Sequence, residues 1–156
     1  SEPGKGTTFK IYLPRHEAGA LHAPAGKKNT VFTLGPRTIL VVEDEEALRR
    51  MLVQVLGERG HHVLEAEDGV AALERAESFG GPIHLLITDV VMPRMDGPTL
   101  ARELSSLRPE TKVLYISGFA DHGIVQSGIL APGTAFLEKP FTPEAVERRV
   151  IETLAG

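Results

Sequence analysis

The sequence predicts an α/β fold, a doubly wound five-stranded parallel sheet with helices on both faces. Three observations carry that expectation. From Pro36 onward, short β-rich runs alternate with segments whose apolar residues recur at helical spacing. Strict strand–helix alternation over five units implies parallel strands joined by right-handed crossovers. The first run, Thr38–Val42, is β-branched and without polar alternation, as in a strand covered on both faces.

The elements follow in order. After the strand Thr38–Val42, Leu48, Met51, Leu52, Val55 and Leu56 form one stripe of a helix that ends at Gly57–Gly60. His62–Ala66 is the second strand. Val70–Phe79 is the second helix, with Val70, Leu73 and Ala76 at its turns and Gly80-Gly81-Pro82 stopping it. Ile83–Thr88 is the third strand. Pro98–Leu107 is the third helix, opening with Pro in its first turn and closing before Pro109. Lys112–Ile116 is the fourth strand. His122–Leu130 is a weak fourth helix, since Gly123 and Gly128 each cost about 1 kcal/mol relative to Ala. Thr134–Leu137 is a short fifth strand. Thr142 caps the fifth and final helix, with Pro143 at its first position and Val146, Val150 and Leu154 along one side.

Composition bounds what such a fold can do. The 156 residues hold one ordinary domain plus an appendage, and the 42% apolar share is enough to bury a core. With 17 basic and 21 acidic side chains the net charge is −4, which argues against a general nucleic-acid surface or a basic membrane-binding face. Cys is absent, excluding disulfides, thiolate metal sites and a Cys nucleophile, and fitting a reducing, cytoplasmic setting. Runs such as Ile39–Val42 are too short to cross a bilayer. The chain opens at Ser1 with no charged-then-apolar leader, so the expectation is a segment of a longer protein without a signal peptide.

In a doubly wound sheet, ligands bind at the carboxyl ends of the strands, near the point where strand order reverses. The residues expected there are Glu43, Asp44, Glu45 and Glu46 after the first strand, Asp89 after the third, Ser117 after the fourth and Lys139-Pro140 after the fifth. Glu45 and Glu46 read as helix N-cap and first-turn residues, where the macrodipole favours negative charge. Glu43, Asp44 and Asp89 are different. At about 4 Å and an effective dielectric near 20, two like charges repel by about 4 kcal/mol. Either a shared proton or a hard divalent cation must offset that, and oxygen-only ligands favour Mg²⁺ or a similar ion such as Mn²⁺.

The segments Leu40-Val41-Val42-Glu43-Asp44-Glu45, Asp89-Val90-Val91-Met92-Pro93-Arg94-Met95-Asp96-Gly97, Ser117-Gly118 and Phe136-Leu137-Glu138-Lys139-Pro140-Phe141 stand in that order. As a set they resemble the receiver domain of two-component response regulators, across Thr38 to Leu154. The resemblance implies a flavodoxin-like sheet of order 2-1-3-4-5 with five helices. It implies that Asp89 accepts a phosphoryl group from a partner's phosphohistidine. It also implies that Glu43, Asp44, Asp89 and the Val91 backbone carbonyl hold Mg²⁺. Lys139 would pair with Asp89 and then with a phosphoryl oxygen, Ser117 would hydrogen-bond the phosphoryl group, and Phe136 would be the aromatic switch. The Lys139–Pro140 bond would be cis. Glu43 stands where Asp is common in the family, a departure that its longer arm should bridge.

Blander readings stand beside these. Lys139 alone would be a surface lysine, Ser117 could open a turn, and Phe136 could be a fixed core aromatic. Met92-Pro93 and Asp96-Gly97 read first as loop and turn chemistry. His61-His62 opens a strand as a solvated or capped pair, and no His pair has zinc-ligand spacing.

The first 36 residues are expected to form no core of their own. Thr8–Leu13 alternates like one strand, Pro14 stops it, and His16–Lys28 has a linker's composition. Ser1–Pro14 is similar to the end of a histidine-kinase ATPase domain, in which a Gly-x-Gly-Thr segment leads into a final strand. The organisation that follows is a kinase remnant over 1–14, a linker over 15–36 and a receiver over 37–156. The implied parent is a hybrid sensor histidine kinase, itself a transferase and of a kind that can be membrane-anchored. The implied partners are a kinase phosphohistidine domain, in cis or in trans, and a separate histidine phosphotransfer protein. The chain itself would catalyse only its own phosphorylation and dephosphorylation. The alternatives are a pseudo-receiver that only docks, a flavodoxin-like FMN or nucleotide binder, and a Mg²⁺-dependent phosphatase.

Overall fold

The structure is a computed structural model that describes residues 35–118 and 134–156. In chain order it shows strand β1 (Thr38–Val42), helix α1 (Glu46–Glu58), β2 (His62–Ala66), α2 (Gly69–Ser78), β3 (Leu85–Asp89), α3 (Gly97–Leu107), β4 (Lys112–Ser117), β5 (Ala135–Glu138) and α4 (Pro143–Ala155). The expected helix at His122–Leu130 lies outside the described residues, so four helices are described rather than five. The sheet has five parallel strands in the order β2-β1-β3-β4-β5. Strand order reverses between β1 and β3, and the carboxyl ends of these two strands flank the crevice where such folds bind ligands.

Alternation along the central strands builds two cores, one per face. Leu40, Val42, Leu86 and Tyr115 point to one face and pack with Ala72 and Ala76 of α2 and Leu100, Ala101 and Leu104 of α3. Ile39, Val41, Leu85, Ile87, Leu114 and Ile116 point to the other, against Leu52, Val55 and Leu56 of α1 and Val146 and Val150 of α4. The buried face of α2 departs from the expected stripe at Val70, while Ala76 is buried as expected and Leu73 packs against the core. Val70 is 40% exposed, and the small residues Gly69, Ala72 and Ala76 are the buried ones.

The helix ends explain themselves locally. Asp68, Asp96 and Thr142 accept from the backbone N–H three residues on, at 2.9, 2.8 and 3.3 Å, and so cap α2, α3 and α4. Glu45 stands at the N-cap of α1 and Glu46 in its first turn, as the sequence led us to expect. At the far ends of α2 and α3, the Arg108 guanidinium donates to three carbonyls. These are Ala76 O (3.1 and 2.7 Å), Phe79 O (2.5 Å) and Gly81 O (2.7 Å). His62 is exposed and stacks on Phe79, while the half-buried His61 accepts the Arg37 N–H at Nδ1, 3.3 Å away. No described helix is long and apolar enough to cross a membrane.

Candidate functional site

The strand ends bring the predicted residues together. Glu43 follows β1, Asp89 ends β3, Ser117 ends β4, and Lys139 follows β5. Glu43, Asp89 and Ser117 are buried, whereas Asp44 is exposed. The Lys139 ammonium bridges two acids, 2.6 Å from Asp89 Oδ2 and 3.1 Å from Glu43 Oε2. The Lys139 N–H also donates to Ser117 O at 2.8 Å, tying the ends of β4 and β5. The Lys139–Pro140 bond is cis.

The electrostatics follow from burial. Burial pushes the Glu43 carboxyl above its ordinary value, and the Asp89 charge adds to this; Lys139 opposes both without cancelling them. Burial by itself would lower the Lys139 ammonium. Its hydrogen bonds and charge pairing with Asp89 and Glu43 outweigh that and raise it. A carboxylate oxygen from each of Glu43, Asp44 and Asp89 lies within 4.8 Å of the others. Ligands about 2.1 Å from an octahedral Mg²⁺ are separated by at most about 4.2 Å, so this all-oxygen donor set fits such an ion after a small adjustment.

Backbone contacts hold the carriers of these groups. Asp89 Oδ1 accepts the Val91 N–H at 3.3 Å, and Val90 N–H donates to Ile116 O at 3.0 Å. The loop after β3 then passes through Arg94, at φ +66°, whose guanidinium meets the carboxylates of Asp68 and Glu67. The Val91 side chain is exposed and offers no polar group to the site. Phe136 is half-buried and stacks on Tyr115 with ring centroids 5.7 Å apart, and Arg149 Nε donates to its carbonyl at 2.8 Å. Burial pushes the Tyr115 hydroxyl up to about 12, with the charge of Asp96 contributing.

Two residues here were not singled out from the sequence. Gly97 read only as turn chemistry, yet a Cβ on it would stand 2.1 Å from the Asp89 carbonyl oxygen. Its signal was present in Asp96-Gly97-Pro98, but the close approach is tertiary. Arg49, in the first turns of α1, donates from Nη1 to Glu43 O at 2.7 Å. Nothing in the local pattern marks that contact.

Comparison with known proteins agrees with this fold. The family model described as the response regulator receiver domain matches residues 39–151. The chain is 43% identical over 161 residues to the sensor kinase CckA of Brucella abortus, an alignment covering 99% of this chain and 17% of that protein. It is 38% identical over 105 residues to the response regulator receiver protein CpdR of the same organism, covering 67% of this chain and 86% of CpdR. Among solved structures it is similar to the receiver domain from the hybrid histidine kinase CckA, with 38% identity and a TM-score of 0.63, covering 75% of this chain and 98% of that one. A receiver domain protein from Clostridium thermocellum shares the fold at a TM-score of 0.68 and 24% identity, covering 76% of this chain and 94% of that one.

Proposed function

The chain belongs to the response regulator receiver family, and from that premise we propose that Asp89 accepts a phosphoryl group from a kinase phosphohistidine in a Mg²⁺-dependent phosphorelay. One observation carries the reading. A buried aspartate at the switch point has an ammonium 2.6 Å away and two further carboxylates within reach of a shared cation. In the proposed step an Asp89 carboxylate oxygen attacks phosphorus, the P–N bond breaks as the P–O bond forms, and the imidazole leaves with the electron pair.

Glu43, Asp44, Asp89 and the Val91 carbonyl would hold Mg²⁺, which when bound supplies charge neutralisation at the phosphoryl oxygens. Lys139 then exchanges one Asp89 oxygen for a phosphoryl oxygen. The Ser117 hydroxyl at the end of β4 donates to another. Phe136 lies one strand away from Ser117, where a shift of the β4 end reaches it, in keeping with a switch role.

Receiver domains in general serve kinase and phosphotransfer partners, and the finer assignment of this one is to a hybrid kinase. The resemblance to CckA supports it by running over 99% of the chain and so through the segment before the receiver. The chain spans only 17% of that relative, so kinase activity belongs to the proposed parent and not to these residues. A flavin or nucleotide site would need a phosphate-cradling loop after β1, where Glu43 and Asp44 stand instead.

The test is to incubate the full chain with Mg²⁺ and acetyl phosphate and to follow intact mass. Wild type should gain one acid-stable, base-labile phosphoryl group, and Asp89→Asn none. A wild type that stays unmodified by acetyl phosphate and by a phosphorylated kinase core would refute the reading.

A further inference from the structure

Arg49 lies one turn into α1, at the helix end whose dipole disfavours a cation. It is nevertheless drawn inward, with its side chain 15% exposed, while its neighbour Arg50 is 76% exposed and pairs with Glu46 on the helix surface. The inward pull has a visible cause. Glu43 lies one residue past β1, and its N–H still reaches Ala66 O at 3.3 Å. Its carbonyl is taken by Arg49 Nη1 at 2.7 Å, and Arg49 Nε faces Glu65 Oε2 of β2 at 3.6 Å.

The guanidinium fork therefore fixes the peptide plane that joins Glu43 to Asp44. That plane sets the directions in which the two acids leave the backbone. From this arrangement we infer that Arg49 is a positioning residue for the cation site. It acts through the Glu43 carbonyl and touches neither the ion nor the phosphoryl group. The role rests on the reading of Glu43 and Asp44 as cation ligands.

The sign of one measurement separates this role from a plain charge effect. Arg49 is a positive charge beside a site for a cation, so by Coulomb's law alone its removal would tighten Mg²⁺ binding. Loss of positioning would weaken it, and outer-shell partners of metal ligands are typically worth roughly ten-fold or more in affinity. The full chain is titrated with Mg²⁺ by calorimetry as wild type, Arg49→Gln, Arg49→Lys and Arg50→Gln. Arg50→Gln removes the same charge from the adjacent position and gives the electrostatic baseline, no weaker than wild type. Arg49→Gln should bind roughly ten-fold more weakly. Arg49→Lys should fall between the two, since an ammonium keeps the charge without the planar fork.

A second readout needs no metal. In the metal-free chain the Glu45 amide, which donates to Glu43 Oε1 at 3.3 Å, should exchange faster in Arg49→Gln than in wild type. Should Arg49→Gln fail to fold, Arg49→Lys carries the test, because any weakening there occurs at constant charge. Binding by both Arg49 variants as tight as Arg50→Gln would overturn the positioning role and leave the phosphoacceptor reading intact. A wild type that binds no Mg²⁺ would overturn both.

Discussion

Lys139 bridges Asp89 and Glu43, with its ammonium 2.6 Å from one carboxylate and 3.1 Å from the other. One cation thus sits in the acidic crevice, and a divalent ion must share these oxygens with it. Lys139→Ala should therefore bind Mg²⁺ more tightly than wild type, since a competing charge is gone. The same variant should accept phosphate from acetyl phosphate about 100-fold more slowly, having lost a donor to the developing phosphoryl charge. Calorimetry and phosphorylation kinetics on one preparation check both signs. Weaker Mg²⁺ binding would mean that Lys139 chiefly holds the acids in place.

Buried Glu43 works against the stability of the fold once it is ionised. Burial raises its pKa above 4.5, so between 4.5 and its folded value the native chain binds more protons than the unfolded chain. Stability should fall as pH rises through that window and then level off, leaving an ionised Glu43 as a standing cost at neutral pH. Glu43→Gln should raise the metal-free Tm at neutral pH, by about 2–4 °C for each kcal/mol relieved in a chain of this size. The same variant should lose most of the Tm gain that Mg²⁺ gives wild type. Thermal scans with and without Mg²⁺, at acid and neutral pH, read all of this. A lower metal-free Tm in the variant would show that the Lys139 pair outweighs burial.

Much of this design was legible in the sequence, for definite reasons. Thr38–Val42 and His62–Ala66 are bounded by turn residues and coincide with β1 and β2. Period and punctuation agree there. The third strand is displaced, from the expected Ile83–Thr88 to Leu85–Asp89. Ile83 is a buried core residue ahead of the ladder, and polar Asp89 still pairs with Ile116. Ser117 extends β4 in the same way, so these two candidate site residues are ones that hydrophobic pattern alone trims off. The burial of Gly69 and Ala72 in α2 was hidden because small side chains carry weak apolar signals, while exposed Val70 carries a strong one. The acids, Ser117 and Lys139 were readable because strand ends converge in this topology. Arg49 was not, because its partner is a backbone carbonyl.

Gly97 approaches Asp89 more closely than any other residue type could. A Cβ there would lie 2.1 Å from the Asp89 carbonyl oxygen, 3.1 Å from its carbonyl carbon and 3.2 Å from Thr88 Cγ2. Backbone atoms cannot swing aside as a side chain would. Gly97→Ala should cost about 2–3 kcal/mol, at the upper end of overpacking effects, and Gly97→Val more. Urea unfolding gives the cost, and acetyl phosphate kinetics should show slower phosphorylation in the protein that remains folded. Full stability in Gly97→Ala would show that α3 can slide away from β3.

Arg108 makes a clasp at the opposite end of the sheet. Its four hydrogen bonds to Ala76, Phe79 and Gly81 close the end of α2 and hold the chain that leads into β3. These carbonyls include ones that the helix end leaves without an intrahelical donor. Arg108→Ala should destabilise by about 2–4 kcal/mol, since hydrogen bonds from a charged donor are worth about 1.5–3 kcal/mol each and do not add fully. Arg108→Lys should recover little, because one ammonium cannot reach three carbonyls set for a planar fork. The clasp sits at the amino end of β3 and Asp89 at its carboxyl end, so the Mg²⁺ affinity of folded Arg108→Ala should match wild type. Urea titration and calorimetry on the same variant separate the two effects. Weakened Mg²⁺ binding at full folding would mean that β3 transmits strain along its length.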